Sequence, residues 1–539
     1  MTDAAPSTTR WVSTLLAVLS LIVAGLLAYQ PLWSNEFISY DDPDYLTNNA
    51  QIARGMTWET WYWAWTSFEV ANWHPTTWIS HLLDVEIFGG VSARGTHLVN
   101  LAWHLSSTIL LFGMLFRATG RGWPSLLAAS LFLLHPLNVE SVAWGAQRKG
   151  VLSTFFGLAC IGAYGSYVSS AGRTCRSMWY IMAVLAASVS LMAKPTWVPL
   201  PLFLLLVDVW PLGRWRKMAD VSSERPLSML IMLLDKIPFA LMAIFESWIT
   251  LDAQKVATAS EEYLPWSVRI LNALSSYVRY LEMMFWPIDL GVLYPHPLSA
   301  PPWSRLVSAA LVIVGISLLL YWQRRRWPAL GLGWMAYLIA QVPTIGFVQV
   351  GLQSVADRYA YVSFLGLFVG LSFAWFDECR RWRIPERASS GGMVVLWIVL
   401  GGLTYLQAAR WHDSITLFAH TAQVTSHNFI AYSHLARAFM DRGDLDRAEY
   451  FSERAVESGW RDPLALVSLA TFRARQNRWD DAIQLTQEAI RRNPRCVQAY
   501  ITLAQIYVSL GKSAEARPWI GRALELDPDN IEALRLRDQ

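Results

Sequence analysis

The sequence predicts an all-α protein in two parts: a polytopic bundle of about eleven membrane spans, then a C-terminal α-solenoid. Three observations carry this. Of 539 residues, 54% are hydrophobic and only 16% charged, with a mean hydropathy of +0.28, whereas a soluble protein carries roughly 25% charged residues. Apolar runs long enough to cross a bilayer recur up to residue 409 and then stop. Beyond them a repeat with a 34-residue spacing takes over, the period of a helix–turn–helix repeat.

The apolar runs lie at 11–31, 97–116, 124–143, 151–168, 178–193, 196–211, 235–252, 305–322, 328–347, 359–376 and 391–409. A single Arg precedes the first, and no small-residue cleavage site follows it, so it reads as an uncleaved span. Alternate loops hold Arg117/Arg121, Arg173/Arg176, Arg214/Arg216/Lys217/Arg225, Arg324 to Arg326 and Arg380/Arg381/Arg383/Arg387. The excess of positive charge makes that side cytoplasmic. The opposite, extracytoplasmic side then receives the loop 32–96, the turns 144–150 and 194–195, 253–304, 348–358 and everything after 410. Residues 266–287 are apolar enough to tempt a twelfth span. However, Arg269, Asn272, Ser276, Arg279 and Glu282 recur at three- and four-residue spacing along one face, the pattern of an interfacial helix.

Membrane domain 1–409 gives way to a repeat domain 410–539. Its copies lie near 429–462, 463–496 and 497–530. Ala436, Ala448 and Ala455 recur as Ala470, Ala482 and Ala489, and again as Ala504, Ala516 and Ala523. Small residues at these places let paired helices pack closely, and Pro494 and Pro528 end the second helix. Trp460, Arg473 and Asn477 depart from the pattern. Residues Trp411 to Thr421 read as a lone second helix joining the last span to the array.

Composition excludes several function classes. A net charge of +3 gives no electrostatic ground for nucleic acid. The cysteines at 160, 175, 379 and 496 have no metal-ligand spacing. No phosphate-binding loop, dinucleotide fingerprint, HExxH or GxSxG is present.

What stands out is Phe37-Ile-Ser-Tyr40-Asp41-Asp42-Pro43-Asp44-Tyr45, three carboxylates just outside the first span. Charge is expensive at that boundary and marks a candidate site. Asp42-Pro-Asp44 matches a metal–nucleotide pattern, but so does Asp527-Pro-Asp529, which merely closes a repeat. The adjacent pair Asp41 and Asp42 is the better candidate: the side chains diverge, so one can face a reacting hydroxyl while the other orients the loop, a water or a divalent metal. Nearby, Trp58, Trp61, Tyr62, Trp63, Trp65 and Phe68 could stack on a sugar face, but read better as anchors of a juxtamembrane helix at headgroup depth. Further polar residues on this side are His74, His81 and Asp84; His97, Asn100 and His104; His135, Asn138 and Glu140; Lys194; and Asp357. The helical spacing of the histidines fits hydrogen bonding between packed helices better than metal binding. Arg148 and Lys149 stand on the mostly acidic side, against the positive-inside trend, where an anionic lipid phosphate would account for them.

Together, Tyr40-Asp41-Asp42, His135-Pro-Leu-Asn-Val-Glu-Ser-Val-Ala-Trp144, Arg148-Lys149, Ala193-Lys194-Pro195, Ala356-Asp357-Arg358-Tyr359-Ala-Tyr361 and Trp411-His-Asp-Ser-Ile-Thr-Leu-Phe418 resemble one family. It is that of the transmembrane and tetratricopeptide-repeat-containing O-mannosyltransferases, here in a bacterial-type version. The resemblance covers nearly the whole chain. It implies a GT-C glycosyltransferase fold in a bacterial cytoplasmic membrane, using a polyprenyl-phosphate sugar on the extracytoplasmic side. It also implies that Asp41 and Asp42 match the acidic pair of the first outer loop, and that Arg148, Lys149 and Arg358 contact the lipid phosphate. Animal members usually show Lys-Glu where this chain has Lys194-Pro195, and they carry more repeats. The expectation is transfer of a sugar to an acceptor hydroxyl of a protein, with the repeats binding acceptor or partner. The rival is a non-enzymatic envelope scaffold; a third reading is a polymer ligase or polymerase with repeats appended.

Overall fold

A computed structural model describes residues 8–215, 229–255, 264–296, 301–347, 351, 353–459, 463–527 and 530–537. Arg216, Lys217, Arg225, Trp460 and Pro528, singled out above, lie outside the described residues. Each of the eleven apolar runs forms helix, but the helices differ in length. Among the described residues, six are long and apolar enough to cross a membrane: Ala93–Thr119, Gly145–Ser169, Arg173–Ala193, Trp303–Trp322, Asp357–Arg381 and Glu386–Arg410. A seventh, Gly122–Leu134 with Pro136–Ala143, is bent by 53°. Pro136 interrupts the backbone hydrogen bonding and tips the chain sideways. The expected span 196–211 shrinks to Leu200–Val209; at 1.5 Å per residue its length is about 15 Å, half a hydrocarbon core. Among the described residues, six helices, or seven with the bent pair, pass as spans by length and composition, and the shorter apolar helices Val12–Ala28 and Leu200–Val209 cover two more of the expected runs.

Close packing relies on glycine where helices touch. A Cβ at Gly333 would overlap the Gly366 carbonyl, so Pro328–Gln341 and Ala360–Arg381 approach backbone to backbone. One end of the bundle gathers the arginine-rich turns: Arg121 pairs with Asp377 at 2.7 Å, Arg326 with Glu378 at 2.5 Å, and Arg117 donates to Ser166 at 3.0 Å. Beneath them lies a buried cluster in which Arg214 reaches Asp208 (3.2 Å) and Asp235 (2.8 Å), and Lys236 reaches the same two carboxylates.

The opposite end carries the acidic loop and the repeats. Three helix pairs stack there, Phe429–Asp441/Leu445–Ser458, Pro463–Arg475/Trp479–Arg492 and Val497–Ser509/Ser513–Leu526. Their alanines at the three equivalent positions are all buried. Asn477 stands where the other copies have Gly443 and Gly511, and all three have positive φ (61°, 78° and 74°); Asn tolerates that conformation. Arg473, at a position that is Phe439 and Tyr507 in the other copies, pairs with Glu449 and Glu453 instead. The lone helix is Ser414–Val424, capped by the Asp413 carboxylate on Thr416 N at 2.7 Å.

Helix Trp266–Phe285 is amphipathic, as expected, but turns much of its polar stripe inward. Arg269, Asn272 and Ser276 are buried while Ile270 and Phe285 are exposed. Backbone of the short strand Gln353–Val355 and the residue after it supplies polar partners there: Asn272 donates to Ser354 O, and the Tyr280 hydroxyl bridges Ala356 N and O.

Candidate active site

The two aspartates have separate jobs. Asp42 is fully buried, and both its oxygens accept backbone N–H groups, Ile38 N at 2.9 Å and Ala146 N at 2.8 Å. It pins the acidic loop to the turn 145–147. Gly145 permits the approach: a Cβ there would stand 3.0 Å from both Asp42 Oδ1 and Leu46 Cδ1. Burial pushes the Asp42 carboxyl up to about 7, outweighing the two N–H donors. Asp41 is half-buried, and among the described residues its carboxylate has no hydrogen-bond partner. Its charge is felt by Tyr40, Tyr45, Lys149 and Lys194.

The segment after the bend, 136–147, is three short helical pieces feeding the long helix from Arg148. It delivers the cation-bearing wall. Glu140 accepts from both Arg358 N (3.1 Å) and Arg358 Nη1 (2.6 Å), and the same guanidinium lies 5.5 Å from the Trp144 ring. Lys194 donates to Gln147 at 3.1 Å, with its ammonium over Gly150. Lys149 donates to the Tyr45 hydroxyl at 2.7 Å and sits 4.3 Å from that ring. Burial, with Lys149 and Arg358 alongside, holds the Lys194 ammonium well below the usual lysine range. An anion placed among these three cations would relieve that strain.

The bundle also holds an apolar chamber of about 1390 Å³. Trp197, one turn past Lys194, and Val362, one turn past Arg358, line one part of it. Arg117 and Ser166, at the arginine-rich end, line another.

Other expected residues are placed differently. Arg148 is wholly buried, and its five N–H groups meet Asn100 (2.5 Å), Ser80 (2.7 Å), Asp84 (3.2 and 2.6 Å) and Thr96 O (3.1 Å). A guanidinium with every donor engaged has nothing left for a lipid phosphate, so that expectation is corrected: Arg148 and Asp84 tie the loop helix Pro75–Phe88 to the bundle. His74 stacks on Tyr45 and meets Trp78 at a tilt, in a cluster of three rings. His81 is buried, 4.0 Å from Asp84. His135 spans Met284 O (2.9 Å) and Leu137 N (3.3 Å). Asp357 accepts from the Tyr294 hydroxyl at 2.9 Å. Asn100 and His104 make hydrogen bonds between packed segments, Asn100 to Val142 O and Trp144 O, His104 to Tyr361.

Sequence reading missed Tyr45 and Gln147, the partners of the two lysines, although Gln147 adjoins a noted motif. It also missed His434, and gave no role to Ser414 inside a quoted motif; both reach the acidic loop from beyond residue 410, and nothing in helical spacing marks them.

A divalent ion does not fit the acidic pair. Asp42 is buried and already accepts a backbone N–H on each oxygen, so the half-buried Asp41 is the more open of the pair. No group of three or more His, Cys, Asp or Glu side chains comes together among the described residues, and a hard cation needs several oxygen ligands.

Tetratricopeptide repeat models match residues 400–463 and 473–539. Protein O-mannosyl-transferase TMTC4 of Mus musculus is 21% identical over 478 residues, 79% of this chain and 64% of the relative. The chain thus spans a little under two thirds of that relative's length. Among solved structures, ArnT from Cupriavidus metallidurans bound to undecaprenyl phosphate is 15% identical, with a TM-score of 0.38 over 93% of this chain and 81% of that one. An Archaeoglobus fulgidus oligosaccharyltransferase tethered with an acceptor peptide is 13% identical, with a TM-score of 0.39 over 80% of this chain and 58% of that one. The chain carries tetratricopeptide repeats and is similar, over most of its length, to the transmembrane and tetratricopeptide-repeat O-mannosyltransferases.

Proposed function

We propose that the chain is an integral-membrane glycosyltransferase of the GT-C type. It moves a sugar from a polyprenyl phosphate to an acceptor hydroxyl, a Ser or Thr of a protein, on the extracytoplasmic side of a bacterial cytoplasmic membrane. Mannose is the sugar named by the relatives it resembles. One observation carries the reading: an unbonded carboxylate, Asp41, stands by Lys149 and Lys194, and the residues one turn past Lys194 and Arg358 line an apolar chamber. The chamber suits a polyprenyl chain and the cations suit its phosphate.

The chemistry follows from charge. The donor is a phosphodiester with one negative charge. The acceptor oxygen attacks the anomeric carbon as its proton passes to Asp41, and the bond from that carbon to the phosphate oxygen breaks. Polyprenyl phosphate leaves as a monoester with a second negative charge. Lys149, Lys194 and Arg358 therefore stabilise the transition state more than the bound donor, which is what raises rate rather than affinity alone. Glu140 holds Arg358 in place and lowers the net charge of the wall. Asp42 keeps Asp41 on the acceptor side by anchoring its neighbour's backbone.

The test is sugar transfer by the full chain in nanodiscs, offered a panel of polyprenyl-phosphate sugars and a Ser/Thr-rich peptide. We expect transfer from one donor, reduced in Lys149→Gln and Lys194→Gln. A chain that neither transfers any of these sugars nor binds polyprenyl phosphate would make the scaffold reading the better one.

A further inference from the structure

The backbone leading into Asp41 is held from two sides, by the membrane bundle, where His97 meets Glu36 O, and by the chain beyond residue 410. Asn35 Nδ2 donates to Ala408 O at 3.1 Å, and Glu36 N donates to His412 O at 2.8 Å. Ser39, two residues before Asp41, has both its backbone groups engaged by side chains beyond residue 410. Its N–H donates to Ser414 Oγ at 2.8 Å, and its carbonyl accepts from His434 Nδ1 at 2.9 Å. His434 belongs to the first helix of the first repeat, Phe429–Asp441. Its ring stacks on Phe418 (4.5 Å, 9° between planes) and meets Tyr40 edge-on at 5.0 Å. Tyr40 in turn stacks on Trp144, in the cation-bearing wall, at 5.3 Å. A continuous line of contacts therefore runs from the first repeat through Ser39 and Tyr40 to both sides of the site. Burial lowers the His434 imidazole to about 4, so it is neutral near pH 7, and the carbonyl partner requires the hydrogen on Nδ1.

We infer that His434, with Ser414, is a positioning residue for Asp41: the first repeat is part of the catalytic wall and sets the placement of the base, in addition to any binding of acceptor along the array. This rests on the function proposed above. A loop of this kind has several backbone arrangements open to it, and fixing both polar groups of one residue selects among them. Loss of the His434 contact should misplace the base without touching the phosphate-binding cations. The signature is a fall in kcat with an unchanged donor KM.

The experiment uses the full chain with His434→Phe, which keeps the stack on Phe418 but removes the donor, and His434→Asn, which returns an N–H near the same position. Ser414→Ala removes the second contact. Two readouts are taken, steady-state sugar transfer and hydrogen exchange of the segment 36–45. We expect His434→Phe to lower kcat about three- to tenfold, the worth of one neutral hydrogen bond, with donor KM unchanged and faster exchange confined to 36–45. We expect His434→Asn to recover part of both, and Ser414→Ala to resemble His434→Phe. Wild-type kcat in His434→Phe, or no recovery in His434→Asn, would overturn the inference. If the wild-type chain itself transfers no sugar, the proposed function has failed, and exchange decides alone: unchanged protection of 36–45 in His434→Phe overturns the positioning role.

Discussion

Changing Asp42 to Asn should loosen the acidic loop rather than remove a reacting group. The carboxylate accepts Ile38 N and Ala146 N through its two oxygens. Asn offers one oxygen, so its NH₂ must face one of those N–H groups and leave it buried without a partner. That costs about 1–3 kcal/mol, which as a local opening equilibrium is roughly a five- to 150-fold loss of protection. Hydrogen exchange at Ile38 and Ala146 in the full chain measures it. The pH dependence carries a second signature. Because burial raises this carboxyl from 3.8 to about 7, the native state keeps a proton that the unfolded chain has released. The stability this contributes is present at low pH and is lost as pH rises through about 4 to 7. Asp42→Asn should lack that component, so its deficit relative to wild type narrows as pH rises across the window. If Asp42→Asn keeps wild-type protection at both amides yet loses sugar transfer as fully as Asp41→Asn, Asp42 is the reacting carboxylate and the division of labour is wrong.

Arg148→Lys should reduce folded yield without a specific change in affinity for polyprenyl phosphate, because it leaves several of Asn100, Ser80, Asp84 and Thr96 without their partner; Lys194→Gln should do the reverse, and binding isotherms with thermal unfolding separate them. A chain ending after Ala409 should lose transfer even to a small soluble acceptor, whereas one ending after Ser458 keeps Ser414 and His434 and should retain it, measured against a Ser-containing peptide. Asp208→Asn leaves Arg214 and Lys236 sharing the single carboxylate of Asp235; breaking a buried ion pair costs about 3–5 kcal/mol, so thermal unfolding of the solubilised chain should show a marked loss at any donor concentration.

The helical character of the bundle and the repeats was legible because both are written in local periodicity. Apolar runs mark buried helices, and alanines 34 residues apart mark the paired ones. The acidic loop stood out as a candidate site because three carboxylates beside a membrane span have few structural reasons to exist. What could not be read locally was the difference between Asp41 and Asp42. They are adjacent in sequence, and only the fold brings Ala146, about a hundred residues on, against one of them. Arg148 and Lys149 likewise looked alike, yet consecutive helical residues point about 100° apart, so one turns into Asp84 and the other toward Tyr45. The bend at Pro136 hid a break inside what composition presents as one continuous span. The polar stripe of Trp266–Phe285 carried the correct period, but period alone does not say which face the protein covers. The contact between His434 and Ser39 joins residues 395 apart and leaves no trace in spacing.

The central claim is that Asp41 takes the acceptor proton, and the most direct measurement is sugar transfer by Asp41→Asn in the full chain, from polyprenyl-phosphate donor to a Ser/Thr peptide. The substitution keeps the side chain's shape and removes proton acceptance at a carboxylate with no hydrogen bond to lose. Transfer should fall about a hundredfold to ten-thousandfold, with folded yield and donor binding as in the wild type. A wild-type transfer rate in Asp41→Asn would contradict the claim outright.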